Sequence, residues 1–358
     1  MRRLNRVFRL LIVVCVFAFY IGAVDYGAQP PLPSGAIETR DAQRPSAPVQ
    51  SLTDPELYRK VIAQVASGHP YYASVAMLHR KYHYPLRPFV TVRLPMLAWL
   101  SAGFGQTGTF ILYLALLGAC IVSWGRRFWQ LFAGRPTQYF AQIVVALSFG
   151  VTANPILMLF HEAWAGGLIA VALALWRPER YGASVILLLA ATLFREIAVC
   201  ALLLMGSFAA LEQRWRELQA YGLAFIVFIA VMIAHASAVA QIVRADDLAS
   251  PGWAGHGGWP LVVSVVMTTS PLILAPRWLA ALILPLMFFG WAFWRDALGL
   301  RILGVVIGYA LAVALFARPD TFYWSLLFTP LLTLGVLFVP KMVREIVDSM
   351  RDYRIKTG

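Results

Sequence analysis

Charged residues interrupt long apolar runs at three places in this chain. The pairs are His161 with Glu162, Arg195 with Glu196, and Arg318 with Asp320. A charge at the centre of a bilayer costs about 2.5–3.5 kcal/mol on insertion scales, so membrane proteins keep such residues chiefly at functional sites. A carboxylate can act as a general base on a hydroxyl, and a guanidinium binds phosphate oxygens in pairs. These residue types predict acid–base chemistry on a phosphate-bearing substrate.

The composition places these charges in a membrane protein. The 358 residues are 60% hydrophobic and 13% charged, with a mean hydropathy of +0.70, outside the range of soluble domains. Runs 107–125 and 218–241 are long enough to cross about 30 Å of hydrocarbon as helices. We therefore predict an all-α, polytopic transmembrane helix bundle of about ten membrane segments, some half-crossing. It forms a single integral-membrane domain over 1–358.

The basic surplus and the cysteines exclude two other kinds of site. The formal net charge is +13, and the basic residues fall in short loops between apolar runs, as expected for cytoplasmic loops. No soluble face collects them, so nucleic-acid binding is not expected, although part of the charge can attract anionic lipids. The three cysteines lie far apart inside apolar segments, which predicts neither a disulfide framework nor a metal site.

The first part of the chain predicts an anchor followed by a large outer loop. Arginines precede the apolar run 7–24, which is either a membrane anchor or a cleaved signal peptide, and its length favours the anchor. Residues 27–53, rich in proline and small polar residues, predict a mobile linker. In 53–68, Thr53 can cap a helix whose apolar stripe is too short to span, so we expect this helix on the membrane surface. A second short helix is predicted over 70–83.

The placement of basic loops sets the threading of the other segments. If segment 86–104 crossed, the basic loop at 126–135 would face outside, so we keep this segment in the outer loop 25–105 while its crossing stays open. The same rule puts both termini and the basic tail 341–358 in the cytoplasm, and it makes 242–276 a second outer loop. The sequence thus predicts a multi-pass protein of the inner (plasma) membrane.

Two segments do not fit a simple crossing. Residues 182–210 lie between two arginine-bearing loops that both belong in the cytoplasm, so the chain must rise and return. This predicts two half-crossing helices, 183–194 and 197–210, with Arg195 at their tip, and one long tilted helix is the alternative. Broken backbone at that depth requires surrounding protein or a watery cavity. Residues 259–275 are expected along the outer surface, with a crossing as the alternative.

With this threading, the remaining charged residues face the outer side, and each has a structural alternative. Glu162 can simply pair with Arg195 inside the bundle. His161 can be an interior histidine held by hydrogen bonds, and Arg318 can be an ordinary loop residue. Asp54 can serve only the positive end of its own helix.

Five segments of the chain resemble the GT-C superfamily of integral-membrane glycosyltransferases. They are DPELYRKVIAQVASGHPYY (54–72), YPLRPFVTVRLPMLAWL (84–100), FHEAW (160–164), LFREIA (193–198) and ARPDTFYW (317–324). The resemblance covers nearly the whole chain in architecture. It implies a GT-C-like bundle that transfers a hexosyl or pentosyl group from a polyprenyl-phosphate donor to an acceptor on the outer, periplasmic face. Such enzymes usually invert configuration in one displacement.

The resemblance also implies roles for individual residues. Asp54 occupies the place of the essential acidic residue in the loop after the first span and would be the catalytic base, with Asp25 as a rival. Arg195 or Arg318 would hold the lipid phosphate. The other candidates for substrate binding are Tyr58, Arg93, His161, Glu162, Glu196, His256, Asp320 and Tyr323. The implied partners are the lipid-linked sugar, a glycan, lipid or protein acceptor, and membrane lipids.

No cofactor is predicted, and two other functions compete with the transferase. Asp246 and Asp247 are a single adjacent acidic pair, which does not by itself indicate a divalent cation. A transporter or flippase for a lipid-linked saccharide is the first alternative. It would more often show repeated halves with broken helices in corresponding places. A non-enzymatic scaffold is the second, and it would not need so many outward-facing ionisable groups.

Overall fold

The computed structural model describes residues 6–30, 52–253 and 255–355, and these ranges are helical throughout apart from turns. No strand forms within them; Arg87 and Ala249 make one isolated bridge. Most of the predicted linker lies outside the described residues. The α-helices are α1 (Arg6–Ala28), α2 (Asp54–Ala66), α3 (Tyr71–Lys81), α4 (Met96–Leu131), α5 (Arg135–Gly150), α6 (His161–Leu175), α7 (Gly182–Phe194), α8 (Val199–Leu211), α9 (Trp215–Ala240), α10 (Gly258–Thr268), α11 (Arg277–Phe293), α12 (Ala297–Phe316), α13 (Thr329–Leu334) and α14 (Val339–Ile355).

The lengths of these helices fit the predicted helical membrane protein. Three stretches of the described chain are long and apolar enough to cross a membrane: Phe89–Leu131, Trp215–Ala240 and Ala297–Phe316. A fourth arises if Pro319–Leu327 and Thr329–Asp348, bent by 60°, count as one span. The all-helical prediction is confirmed, whereas the figure of about ten membrane segments stays a prediction.

The helix α4 is longer than any bilayer requires. As one continuous helix its 36 residues would measure about 54 Å at a rise of 1.5 Å per residue, but two helical parts meet at a kink. Gly105 interrupts it with φ of 67° and ψ of 176°, a backbone conformation that glycine adopts most readily. The first turns, up to this glycine, carry the α2 helix on one side, where Leu57 and Val61 are buried. This part of segment 86–104 therefore supports the outer helix α2.

The outer helices α2 and α3 occur where the sequence predicts them. Thr53 caps α2: its backbone N–H and hydroxyl donate to the Glu56 carboxylate at 2.7 and 2.8 Å, which forms a capping box. Tyr71, at the start of α3, donates from its hydroxyl to the Arg93 carbonyl at 2.7 Å. These contacts fix both helices on the segment that leads into α4.

Several basic loops meet at one end of the bundle, which we call the basic end: the loops after α4, α6 and α8 and the start of α12. Arg127 donates to the Trp176 carbonyl at 2.7 Å, and the Trp176 indole donates to Glu217 at 2.7 Å. Arg301 is fully buried, with its guanidinium 4.0 Å from the Trp176 ring centre. It also makes a two-point ion pair with Glu212 at 2.8 and 2.7 Å. The predicted common side of these loops is present in the fold.

The helices α7 and α8 form the predicted hairpin. Ser184, near the start of α7, lies within 3.2 Å of the Tyr221 hydroxyl. Gly206, near the end of α8, packs on the same tyrosine, since a Cβ there would lie 3.5 Å from the Tyr221 Cβ. The chain therefore leaves the basic end along α7, breaks at Arg195 and returns along α8. The alternative of one long tilted helix is wrong.

The prediction that residues 259–275 lie along the outer surface is wrong for α10, whose apolar side chains are buried in the bundle, whereas Ile273 and Leu274 after it are exposed. Leu261, Val263 and Val266 of α10 are almost inaccessible to solvent. Arg277 donates to the Pro260 carbonyl at 2.7 Å, so the segment enters the bundle and returns to its starting point. The physical reason is that the helix is apolar on every side, and such a helix has no polar face to turn towards water.

Candidate functional site

A cavity of about 110 Å³, partly open to solvent, lies at the end of the bundle opposite the basic end. The helix α6 connects the two ends, because His161 at its start lines the cavity and Trp176 follows its last residue. Most of the predicted site residues line this cavity: Asp54, Tyr58, Arg93, His161, Arg195, Arg318, Asp320 and Tyr323. The structure thus brings together residues from five separate parts of the sequence.

Each charged residue of the cavity comes from the end of a helix or from a break in one. Asp54 is the first residue of α2, and Tyr58 follows one turn later on the same face. Arg93 lies in the irregular segment before α4. Arg195 interrupts the α7–α8 hairpin with extended backbone. Such positions let charged side chains reach the cavity without a helix turning a polar face towards lipid.

The Arg195 guanidinium forms ion pairs with two carboxylates. Its Nε lies 2.5 Å from Glu162 Oε1, and a second nitrogen pairs with Glu196. The exposed fractions of the side chains are 2% for Arg195, 1% for Glu162 and 15% for Glu196. Arg195, Glu162 and Glu196 thus form a triad with one excess negative charge. Of these three residues, Arg195 lines the cavity.

Arg318 is also fully engaged, in holding the second outer loop. It makes a two-point ion pair with Asp320 at 3.1 and 3.3 Å. A further nitrogen donates to the carbonyls of Pro251 and Gly252 at 3.0 and 3.4 Å. This arginine therefore fixes the loop that covers one side of the cavity.

Two charged residues of the cavity remain without an ion pair among the described residues. Arg93 makes one side-chain hydrogen bond there, from Nε to the Tyr58 hydroxyl at 3.4 Å. The Asp54 carboxylate has no hydrogen bond or ion pair within the described ranges, and it is only partly buried. The cavity thus offers one free carboxylate and one free guanidinium.

Tyr58 and His161 lie between these charges. Their rings meet edge to face, with centres 5.2 Å apart. Burial raises the pKa of Tyr58 to about 12, so its phenol stays protonated at neutral pH. His161 is 4% exposed, and its Nδ1 has no hydrogen-bond partner among the described residues. A buried polar atom without a partner is costly, so a ligand atom that pairs with it would be favoured.

Some candidates lie elsewhere, and some lining residues had no signal in the sequence. His256 is exposed with φ of 43° and does not line the cavity. Asp25 is exposed on α1 and is also outside the cavity lining. Tyr71, His79 and Trp253 line it, although we did not predict them. Aromatic residues in the outer loops were the available signal, but aromatics are frequent throughout this chain.

An apolar groove of about 500 Å³ lies between α1 and α11. Its lining residues are almost entirely apolar: Phe19, Tyr20, Gly22, Ala23, Tyr26, Trp259, Pro285, Phe288 and Phe289. The buried indole N–H of Trp259 has no acceptor among the described residues.

The described residues form no cluster that indicates a metal ion, since no three metal-ligating side chains come together in them. Asp247 is instead bound by Arg80, through contacts of 2.7 and 2.8 Å. The Arg80 hydrogen bonds lower the pKa of this carboxyl. The pair joins the second outer loop to α3.

No protein-family model, curated protein or solved structure matches this chain. The cavity itself therefore carries the functional argument. Its distinguishing groups are the free carboxylate of Asp54 and the free guanidinium of Arg93.

Proposed function

We propose that this chain is a GT-C-like membrane glycosyltransferase that moves a sugar from a polyprenyl-phosphate donor to an acceptor hydroxyl. The observation that carries the proposal is the unpaired Asp54 carboxylate on the wall of a cavity that also holds arginines. A general base must be free to accept a proton and within reach of the substrate. Asp54 meets the first requirement, and its place in the cavity lining supports the second.

The reaction proceeds as a single displacement. The acceptor oxygen attacks the anomeric carbon of the sugar while Asp54 takes the hydroxyl proton. The bond between the anomeric carbon and the phosphate oxygen breaks, and polyprenyl phosphate leaves with the bonding electrons. Configuration at the anomeric carbon is inverted. No further reactant is needed.

The arrangement of the two ends supports a position in the inner membrane with the cavity on the outer face. Basic loops favour the cytoplasmic side, so the basic end and both termini belong there. The cavity then opens to the periplasmic side. The apolar groove between α1 and α11 fits the isoprenoid chain of the donor, because its lining offers hydrocarbon contact.

Transfer assays with purified protein test the proposal. We would supply a panel of polyprenyl-phosphate hexoses and pentoses with an extract of envelope lipids and glycans. Asp54→Asn should lower the turnover rate by about 10²–10⁴-fold, the usual contribution of a general base. Asp25→Asn is the matched control, because it makes the same change at an exposed carboxylate outside the cavity, and it should keep the wild-type rate.

Three outcomes would contradict the proposal. Wild-type turnover in Asp54→Asn removes this residue as the base. A slow Asp25→Asn together with a normal Asp54→Asn moves the base to α1. Movement of the labelled donor across liposomes, without transfer of sugar from any donor in the panel, assigns the chain to the transporters.

A further inference from the structure

The arginines of the cavity are not equivalent as anion sites. Arg195 is shared by Glu162 and Glu196, and the triad has an excess negative charge. A phosphate that approaches it meets repulsion from two carboxylates. Arg318 is occupied by one carboxylate and two carbonyls. A phosphate at either arginine would compete with carboxylates that the guanidinium already contacts.

Arg93 differs from both. Its guanidinium lines the cavity, and its one side-chain hydrogen bond among the described residues is the 3.4 Å contact to Tyr58. The backbone of Arg93 is fixed by the Tyr71 hydroxyl at 2.7 Å. The charge is thus held in place while most of its donors stay available. Arginine binds phosphate oxygens through paired N–H donors, and this residue has such donors free.

A second observation at the same wall also indicates a ligand. Tyr58, the partner of Arg93, packs edge to face on His161. His161 is buried, lines the cavity, and its Nδ1 has no partner among the described residues. A phosphate ester presents several acceptor oxygens, so it can satisfy a guanidinium and a neighbouring imidazole N–H together.

We infer that Arg93, with His161 beside it, forms the binding site for the phosphate group of the substrate. This role differs from the one that the superfamily resemblance gives to Arg195 or Arg318. The ligand is a phosphate ester, carried either by a lipid chain or by a small soluble molecule. The lipid-borne ester rests on the proposed function, whereas the anion site itself does not.

Calorimetric titration of the purified protein in nanodiscs tests this site. The probes are farnesyl phosphate, phenyl phosphate and the uncharged alcohol farnesol. Arg93→Gln should weaken the binding of farnesyl phosphate by at least about tenfold, the scale of one lost hydrogen-bonded charge, and leave that of farnesol unchanged. Arg93→Lys keeps the charge and should lose less. Arg87→Gln is the control, because this exposed arginine donates to the Asp247 carbonyl and lies outside the cavity lining.

The probes also separate the two sources of the ester. Tighter binding of farnesyl phosphate than of phenyl phosphate assigns a lipid-borne ligand, and equal binding assigns a soluble ester. Equal losses of farnesol and farnesyl phosphate in Arg93→Gln would show a structural role and overturn the inference. So would unchanged farnesyl phosphate binding in Arg93→Gln, or no binding of either phosphate by the wild type.

Failure here is distinguishable from failure of the transferase. If transfer activity is lost in Asp54→Asn while phosphate binding is unchanged in Arg93→Gln, the proposed transferase is supported and the Arg93 phosphate site is rejected. Phosphate binding that depends on Arg93, in a protein that transfers no sugar, does the reverse.

Discussion

Removal of Arg195 should be among the most damaging single changes in this protein. Arg195→Met keeps much of the side-chain length and removes the charge that Glu162 and Glu196 share. Glu162 is 1% exposed, so its carboxylate would be left buried without a cation. Breaking one side of a buried ion pair costs about 3–5 kcal/mol. At roughly 2 °C per kcal/mol for a chain of this size, the melting temperature should fall by about 6–10 °C.

The assay is thermal unfolding in detergent, with the double variant Arg195→Met/Glu162→Gln as the decisive comparison. Neutralising Glu162 removes the buried charge, while Glu196 is 15% exposed and can be hydrated. The double variant should therefore recover more than half of the lost stability. Arg295→Met is the matched control, because its ion pair with Glu345 has an arginine that is 72% exposed, and exposed pairs contribute little.

Two results would refute the reasoning. A single variant that melts within about 2 °C of the wild type, or less than about 1 kcal/mol, would mean that the triad has water access that the structure does not show. A double variant as unstable as the single one would mean that the loss comes from packing around the removed side chain. In that case the charge argument fails for the whole cavity wall.

Further predictions concern close packing and pH. A Cβ at Gly166 would collide with the Leu326 carbonyl. The substitution Gly166→Ala should therefore lower the free energy of unfolding, measured in detergent, by about 1–3 kcal/mol. Gly118→Ala in α4 is the control, because a Cβ added there would meet no neighbouring atom within 4 Å, and it should be neutral or slightly stabilising. Equal losses of stability in the two variants would contradict the predicted collision at Gly166. Burial lowers the pKa of His79 to about 4. Between this pH and about 6.5 the unfolded chain therefore binds a proton at His79 that the folded chain does not bind. The free energy of unfolding should fall as pH drops from about 6.5 to about 4. The fall should be smaller in His79→Asn, whose amide can still donate to the Pro85 carbonyl. If His79→Asn shows the same pH dependence as the wild type, His79 is not the responsible group.

The sequence predicts well those features that follow from the cost of charges in lipid. The break at Arg195 follows because two arginine-rich loops must share one side. The capped start of α2 is a local property, since Thr53 and Glu56 have the spacing of a capping box. Convergence of the separated charges on one cavity follows from the same threading.

Other features depend on three-dimensional packing that no local pattern contains. The three cavity arginines look alike in sequence, and only the side-chain geometry shows that Arg93 is unpaired while Arg195 and Arg318 are engaged. The burial of α10 was missed because its place in the bundle depends on contacts with distant helices. Thr269, for example, lies 2.9 Å from the Ser325 hydroxyl, which lies more than fifty positions later in the chain.

The contacts of Arg301 bear on how the molecule can move. A carrier that alternates between two faces must part its helices at each side in turn. Here that motion would separate a fully buried guanidinium from Trp176 and Glu212 and break their contacts. A protein that binds and releases its ligands through one opening at the cavity end does not need to break the contacts of Arg301. The basic end of the bundle can then remain closed while the loops around the cavity change position.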